Sequence, residues 1–337
     1  MLFTNKLPLI LAIVLYLLIY LLRYQQGGWD LKLDLFKVQR AYLDRRIART
    51  LPSPQAELLS GILLGQSKNL PGRLKLALRD TSTLHIVVAS GQNLSIVAGF
   101  FLSLSGLIGR KKAVVAGLLA SVFYTMLSGM QIPILRAAIM FSIASLAQLF
   151  GRQAEGWWVL IVTAGLMLLI NPAWITNLSF QLSFLATFGI IVVSPILLKW
   201  FDKWPIIGQD LAVTIAAQLM VTPAVAQNFH QISLVSLITN VLILWTISFI
   251  MLLGAVMLLV GPLVGILVNA MLTYFIYIVQ FFSSLPFAWE YIGEQVWMVW
   301  VGYYLIVAAI MLSLNNVKTE DRKGSGKGAS VSGLSNN

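Results

Sequence analysis

Long apolar segments separated by short polar connectors follow one another along most of the chain. From Leu84 onward the sequence is almost continuously apolar, and each segment approaches the roughly 20 residues that an α-helix needs to cross a bilayer. We therefore predict an all-α, polytopic integral membrane protein with about nine or ten transmembrane helices, some of them discontinuous. The candidate segments are residues 7–22, 84–108, 113–129, 131–150, 156–171, 178–198, 210–229, 235–259, 262–284 and 296–314.

The stretch between the first two apolar segments has a different pattern. Residues 23–80 contain eleven Lys/Arg and five Asp/Glu. Phe36, Leu43 and Ile47 are spaced to share one helical face, and Arg40 is one of four arginines that lie off that face. This spacing predicts amphipathic helices in the plane of a membrane interface. The resulting organisation is an N-terminal membrane anchor at 1–22, interfacial helices at 23–83, a transmembrane domain at 84–315 and a disordered tail at 316–337.

The composition excludes several classes of protein. Hydrophobic residues make up 58% of the 337 residues and charged residues only 10%, whereas a soluble domain is about 25% charged. With a mean hydropathy of +0.86, the chain cannot cover the surface of a soluble enzyme. Because it has no cysteine and two histidines, we expect no disulfide and no metal site. It also lacks a Walker A loop, and we expect no cofactor and no enzymatic activity.

The net charge of +11 is evidence about membrane topology first and about a ligand second, because basic residues in the loops set the orientation of membrane helices. If all ten segments cross, eleven basic residues fall on each side and the positive-inside rule gives no preference. If residues 210–229 are re-entrant, the division becomes fifteen to seven. That segment carries Gln218 and Pro223, and Pro223 should break a helix and free backbone carbonyls. We favour the re-entrant interpretation, with nine crossings.

A polar cluster interrupts the apolar segment that begins at Leu84. His85 is followed by Ser90, Gly91, Gln92 and Asn93, which weaken a helix and offer alternative hydrogen bonds. Backbone groups freed within a membrane must be buried in protein or face a water-filled cavity. The pattern predicts a discontinuous helix that lines a pore. The alternative is a kinked span whose polar groups satisfy one another.

Arg136 is the one basic residue placed within an apolar segment. An arginine at the centre of a membrane helix costs at least about 2.5–3.5 kcal/mol, so it should face protein or water. Apart from Asp210 at the start of residues 210–229, no acid lies within a long apolar segment to pair with it. Its partners would be carbonyls, polar side chains, water or an anionic substrate. Because it lies early in its segment, extension of its side chain to the interface is the alternative.

Further polar residues lie in the later segments. Asn171 precedes Pro172, and Gln181 and Ser183 lie within an apolar segment. Such residues commonly hold membrane helices together, and lining a pore is the second interpretation. The remaining candidates for the pore or the substrate site in this half are Gln218, Pro223 and Asn240.

The order of these motifs resembles the competence domain of ComEC, the membrane channel family of bacterial DNA uptake. The resemblance covers about residues 39–315 and includes residues 52–65, LHIVVASGQNLSIVAG at 84–99, FQLSF at 180–184 and Thr222-Pro223. It implies passage of single-stranded DNA across the cytoplasmic membrane through a channel domain at 84–315, with Arg136 as a phosphate contact. The family-patterned positions are His85, Ser90, Gly91, Arg136, Asn171, Gln181, Ser183, Pro223 and Asn240, and Gln92, Asn93 and Gln218 accompany them as pore candidates.

The sequence also departs from the family pattern. Asn93 stands where many relatives have histidine. We expect this chain to lack the OB-like insertion and the metallo-β-lactamase-like domain that full-length relatives carry. The resemblance therefore implies dependence on other parts of an uptake machinery: a pilus or DNA receptor, a cytoplasmic motor and a separate nuclease. Assembly into a homo-oligomer is left open.

Two other classes of function stay open at this point. A small-solute or lipid transporter could reuse the fold, and the aromatic residues near Trp297 are compatible with it, although an interfacial belt explains them as well. A membrane scaffold for a partner is the third hypothesis. The polar cluster at residues 90–95 argues mildly against a scaffold.

Overall fold

The chain is almost entirely helical. The computed structural model describes residues 7–29, 34–88, 90–201 and 207–329. Two short strands, β1 (Gln231–Ser233) and β2 (Trp289–Tyr291), pair with each other, and 3₁₀ turns occupy Ser67–Asn69 and Pro172–Thr176. The α-helices are α1 (Leu7–Gln26), α2 (Lys37–Thr50), α3 (Gln55–Leu64), α4 (Gly72–Asp80), α5 (Leu84–Val87), α6 (Gly91–Ser103), α7 (Ser105–Ile108), α8 (Arg110–Leu127), α9 (Ile132–Leu149), α10 (Gly156–Ile170), α11 (Leu178–Val192), α12 (Ser194–Leu198), α13 (Ile207–Phe229), α14 (Ser236–Val260), α15 (Pro262–Ser283) and α16 (Trp297–Ala329).

The helical content and the apolar segments confirm a polytopic all-α membrane protein. Among the described residues, seven segments are long and apolar enough to cross a membrane. α10 is a shorter apolar helix, and α8, which begins with three basic residues, is not one of the seven. Nine or ten crossings therefore stay a prediction. The seven segments are Gly91–Ile108, Ile132–Leu149, Leu178–Leu198, Gly208–Phe229, Ser236–Val260, Pro262–Ser283 and Trp297–Asn315.

The chain forms two compact units. The first unit contains Met1–Phe184 and Ser233–Trp289, and the second contains Leu185–Ile232 and Glu290–Asn337. This division does not test the predicted transmembrane domain at residues 84–315, which stays a prediction. Each unit has its own cluster of buried apolar side chains. The grouping depends on long-range packing, which hydropathy does not report.

The core of the first unit is built around α3. Leu58, Leu59 and Ile62 on α3 are completely buried in the same cluster as side chains of α14 and α15. A Cβ atom on Gly254 would lie 2.9 Å from Leu59 Cδ1, so a glycine there lets α14 approach α3 closely. α3 therefore lies in the core and not in an interface plane. Only α2 and α4 keep the amphipathic pattern expected for residues 23–83.

In the second unit, α13 is continuous through Pro223, contrary to the re-entrant interpretation. Its 23 residues rise about 1.5 Å each, enough to cross the bilayer core. Proline removes the donor for the carbonyl four residues earlier, which is that of Leu219. The Tyr303 hydroxyl on α16 donates to this carbonyl at 3.1 Å, and Tyr304 donates to the Met220 carbonyl at 2.9 Å. External donors thus replace the bond that proline removes.

This arrangement predicts a specific effect of removing one hydroxyl. We expect Tyr303→Phe to destabilise the protein by about 1–3 kcal/mol, because the Leu219 carbonyl loses its donor. SDS unfolding in mixed micelles, followed by circular dichroism, measures the change. The exposed Tyr291 provides the matched control Tyr291→Phe, which should behave like the wild type. Equal stability of both variants would contradict this role of Tyr303.

The last helix extends into the segment for which we expected disorder. α16 runs to Ala329, whereas the predicted tail begins at residue 316. Lys, Glu and Arg are frequent between Val317 and Lys323, and these residues favour helix. They account for helix only as far as Lys323, because Gly324, Gly326 and Gly328 within α16 disfavour it. Residues 330–337 lie outside the described residues.

Candidate functional site

The helix predicted to be discontinuous is interrupted immediately before Gly91. α5 ends at Val87, Val88 is extended with ψ 130°, and Ser90 has φ −108° and ψ 165°. α6 then begins at Gly91. The first N–H groups of an α-helix have no partner within the helix, and Ser90 makes no side-chain cap to them. The Asn93 N–H donates to the Ser90 carbonyl oxygen at 3.2 Å. Ser90 therefore begins α6 through its backbone and not through a side-chain cap.

Asn93 ties this interruption to the core. It is completely buried, and its Nδ2 donates to the carbonyl of Ile62 on α3 at 3.0 Å. The Ser90 hydroxyl donates to Asn93 Oδ1 at 3.1 Å. Asn93 thus holds the start of α6 against the end of α3, which is a packing role.

Gly91 and Arg136 lie against each other. A Cβ atom on Gly91 would lie 2.7 Å from Arg136 Nη2, 3.3 Å from Ala137 Cβ and 3.8 Å from the Pro133 carbonyl oxygen. Any side chain at position 91 would collide with the guanidinium unless Arg136 moved. The two features singled out separately in the sequence therefore form one site.

Arg136 reaches another helix and not the interface. Its Nη1 donates to the carbonyl of Ser183 on α11 at 2.7 Å. Its Nε is buried and has no hydrogen-bond partner among the residues that the structure describes. The ion pairs found in that part of the chain are Arg40 with Asp34 and Arg79 with Asp80. The positive charge of Arg136 therefore has no carboxylate partner there.

Helix N-termini add to this positive potential. Gly91 is the first residue of α6, Arg136 is the fifth of α9, and Ser183 is the sixth of α11. Each α-helix carries a partial positive charge at its N-terminus. Of the three residues only Gly91 lies in the first turn of its helix, because Arg136 and Ser183 lie in the second turns of α9 and α11. The N-terminus of α6 is therefore the one that Gly91 places beside the guanidinium.

The remaining candidates make no described contact with Arg136, although Gln92 directly follows Gly91 on α6. His85 is exposed, with Nδ1 2.9 Å from the Ser82 carbonyl oxygen, and Gln92 is also exposed. Asn171 accepts from the Ala173 N–H at 3.1 Å, and Gln181 donates to the Ile175 carbonyl at 3.0 Å. Gln218 and Pro223 belong to the second unit, and Asn240 is buried in α14.

Sequence reasoning missed the role of Arg40. We had placed this arginine off the apolar face of α2, but it is only 5% exposed. Its Nη1 donates to the Leu127 carbonyl at the end of α8 at 3.2 Å, and its Nη2 pairs with Asp34. It lies against Gly129, whose φ is +81°. The positive charge at a helix C-terminus stabilises the corner from which α9 begins.

No metal site accompanies these residues. Within the described residues, no three His, Cys, Asp or Glu side chains are grouped so that they could hold a metal ion. The polar groups of the site are an arginine, a hydroxyl and backbone amides. The positive charge of Arg136 disfavours a metal cation beside it.

The two hydrogen bonds of the Asn93 side chain, with Ser90 and with the Ile62 carbonyl, predict an effect on stability. We expect Asn93→Leu to destabilise the protein by about 1–3 kcal/mol, because the Ile62 carbonyl and the Ser90 hydroxyl both lose a buried partner. The neighbouring Gln92 is exposed, so Gln92→Leu should leave stability nearly unchanged. The midpoint of thermal unfolding in detergent measures both. Equal midpoints for the two variants would contradict a structural role of Asn93.

Comparison with known proteins identifies the family. The family model described as "Competence protein" matches residues 62–316. The chain is 31% identical over 237 residues to the uncharacterized protein YcaI of Escherichia coli K12, covering 63% of this chain and 30% of that protein. It is 29% identical over 208 residues to ComE operon protein 3 of Bacillus subtilis 168, covering 61% and 26% respectively.

A third relative is an uncharacterized protein of Aquifex aeolicus VF5. It is 33% identical over 182 residues, which cover 53% of this chain and 42% of that protein. The chain thus spans less than half the length of each of these relatives. No solved structure matches. Because the family model covers most of its length and includes every residue of the Gly91–Arg136 site, the chain belongs to the competence protein family.

Proposed function

We propose that this protein is a membrane channel through which single-stranded DNA crosses the cytoplasmic membrane during natural transformation. One observation carries the proposal: in a member of the competence family, an arginine that has no carboxylate partner among the described residues lies at a break in an apolar helix. An interrupted helix exposes backbone polar groups that suit a hydrated path. The arginine suits a polyanion.

The apolar segments carry almost no negative charge, which supports the same substrate. Six of the seven candidate spans contain no Asp or Glu, and the seventh, Gly208–Phe229, contains Asp210, which is exposed in the first turn of α13. Carboxylates along a path would repel a phosphate backbone. A path of neutral polar groups with a single cation binds the strand weakly enough to release it.

We propose that the chain is a conduit and not an enzyme. The strand would be delivered by a pilus or DNA receptor, pulled by a cytoplasmic motor and degraded by a separate nuclease. The matching family model is described as "Competence protein", which is consistent with such a context.

Deletion of the gene from a naturally transformable host tests this function. We expect transformation and DNase-resistant uptake of labelled DNA to fall to background, while DNA binding to the cell surface continues. A plasmid copy of the full chain should restore both. Normal transformation by the deletion strain would contradict the proposal, and an altered lipid or solute content in that strain would favour a transporter.

A further inference from the structure

We propose that a groove between α2 and α8 binds one anionic phospholipid, with an acyl chain in the groove and the headgroup phosphate on the arginines of α2. This α2–α8 groove is made of other residues than the Gly91–Arg136 site. The inference does not depend on the proposed function, and it gives a role to basic residues that the proposed function leaves unused.

The α2–α8 groove is an apolar cavity at the surface of the first unit. Its volume is about 550 Å³, within the range of pockets that hold a small molecule. Apart from Gln39 and Tyr42, its lining side chains are pure hydrocarbon and offer no hydrogen bond to a polar ligand, so a hydrocarbon chain fits it better than a sugar or a phosphate. These side chains are Phe36, Val38 and Leu43 on one wall and Phe123 and Leu127 on the other.

Two contacts hold the walls of the groove at a fixed separation. The rings of Phe36 and Phe123 pack edge to face, with their centroids 5.4 Å apart. The Arg40 guanidinium donates to the Leu127 carbonyl at 3.2 Å. The groove is therefore shaped by the fold itself, and an occupant does not have to open it.

The groove ends at a cluster of three arginines on α2. Arg45 and Arg46 follow Tyr42 by three and four residues, which places them one turn further along the same side of the helix. Arg49 lies one turn beyond them. Arg45 and Arg49 are exposed and Arg46 is half-buried. A guanidinium presents paired N–H donors that match the oxygens of a phosphate.

The charge of this cluster is not neutralised by the protein. None of the three arginines forms an ion pair within the residues that the structure describes. The one acid on α2, Asp44, accepts a hydrogen bond from the Ser60 hydroxyl on α3. The end of the groove is therefore complementary to an anion, and it favours an anionic lipid over a zwitterionic one.

α2 also lies at the depth where lipid headgroups are found. Its last residue, Thr50, places Cγ2 3.0 Å from the Cβ position of Gly265, the fourth residue of α15. α15 is one of the seven segments that can cross a membrane, so its first turn lies near a membrane surface. Arginines within five residues of Thr50 reach the headgroups from there, and the apolar groove beside them reaches the acyl chains.

The neighbouring groove and arginines select one kind of occupant. The ligand must carry a hydrocarbon chain and an anionic group about one helical turn, 5.4 Å, apart. An anionic phospholipid has both parts, and it is a component of the bilayer that surrounds the protein. A DNA strand has the phosphate but no chain to fill the groove.

Fluorescence quenching in the cysteine-free chain tests this lipid site. The full chain with Val38→Cys carries a bimane label at the rim of the groove, where Val38 is 75% exposed, and is placed one copy per phosphatidylcholine nanodisc. Tail-brominated phosphatidylglycerol or phosphatidylcholine is then titrated. We expect phosphatidylglycerol to quench half-maximally at a mole fraction about fivefold lower for each arginine that contacts its phosphate. Leu119→Cys, on the exposed apolar side of α8, should be quenched equally by both lipids.

A pair of double variants connects the preference to the arginines. Arg45→Gln with Arg46→Gln should remove the preference for phosphatidylglycerol at position 38. Lys111→Gln with Lys112→Gln, at the exposed start of α8, removes the same charge and should keep it. Circular dichroism and gel filtration verify the folding of each variant. Equal quenching by both lipids at position 38 of the parent chain would overturn the site, and so would a preference that the arginine pair retains or that the lysine pair loses equally.

Two further measurements compare the lipid with other occupants. We expect oligothymidylate at micromolar concentration to leave the quenching by phosphatidylglycerol unchanged. We also expect nanodiscs with one copy and with two copies of the chain to give the same titration. Displacement of the lipid by oligothymidylate would assign the arginines to DNA, and loss of quenching in two-copy nanodiscs would assign the groove to a second copy. Either result would overturn the lipid assignment.

Discussion

Replacing Gly189 by valine is expected to destabilise the second unit by about 2–3 kcal/mol, as overpacking of a close contact does. A Cβ atom at this position would contact the Ala216 carbonyl oxygen, and it would lie 2.8 Å from Met220 Cγ and 3.0 Å from the Ala216 carbonyl carbon. The obstacle is backbone, which no rotamer change can remove. α11 and α13 would have to move apart.

Gly302 provides the matched control for this prediction. It is also a helical glycine of the second unit, but a Cβ atom there meets nothing within 4 Å. Both substitutions introduce the same β-branched side chain into a helix, so the difference between them reports the collision with Ala216. Unfolding by SDS, followed by circular dichroism, measures that difference. Similar stability of Gly189→Val and Gly302→Val would show that these helices are not in close contact.

Gly129→Ala is expected to destabilise the first unit by about 3 kcal/mol. Its φ of +81° disfavours any residue with a Cβ atom, at a cost of about 1–3 kcal/mol. The new atom would also displace the Arg40 guanidinium, whose Cζ would lie 3.3 Å away. Loss of the hydrogen bond from Arg40 to the Leu127 carbonyl adds about 1.5–3 kcal/mol at most.

Gly151 separates these two contributions. It ends α9 with φ +72°, as Gly129 ends α8, and nothing lies within 4 Å of its Cβ position. The hydrogen bonds are equivalent, because Met130 N–H donates to Thr125 and Arg152 N–H donates to Ala147, each five residues back. Gly151→Ala should therefore show the backbone cost alone. Equal losses of stability for both variants, measured by thermal unfolding in detergent, would mean that Arg40 contributes nothing to this corner.

The Gly129→Ala substitution also has an expected functional consequence. α9 begins at Ile132, directly after the corner that Gly129 and Arg40 form. A shift of this corner would move Arg136 relative to Gly91. We therefore expect DNase-resistant uptake of DNA to be lower for Gly129→Ala than for Gly151→Ala.

Much of the fold followed from elementary patterns. Hydropathy located the apolar helices because a membrane helix must be apolar over its whole length. The interruption at Ser90-Gly91 was predictable because glycine and short polar residues weaken a helix locally. These signals are contained within single segments.

Features that depend on contacts between segments were not predictable. Pro223 indicated a break, but Tyr303, 80 positions later, supplies the missing donor. The apolar spacing of α3 did not distinguish a core helix from an interfacial one, because both bury one face. Arg40 was indistinguishable from its neighbouring arginines until its contact with Gly129 was known.

The Gly91–Arg136 site depends both on signals within single segments and on contacts between segments. Gly91 and Arg136 were each singled out from sequence, yet their contact depends on α6 and α9 lying side by side with both N-termini at one end. The contact of Arg136 with the Ser183 carbonyl could not be inferred, because a backbone acceptor has no sequence signal. Packing therefore brought two isolated candidates into one site.

The central claim is that the helix interruption between Val87 and Gly91 faces a water-filled path for DNA. Labelling of single cysteines in intact membranes with an impermeant thiol reagent tests it most directly. Gln92 and Ser95 are exposed, Asn93 is buried, and Leu119 on α8 is exposed and apolar. The account predicts that cysteine at 92 and 95 is labelled, that single-stranded DNA protects both, and that cysteine at 93 and 119 is not labelled. Complete protection at all positions from 90 to 95 and at 136, without DNA, would contradict the account.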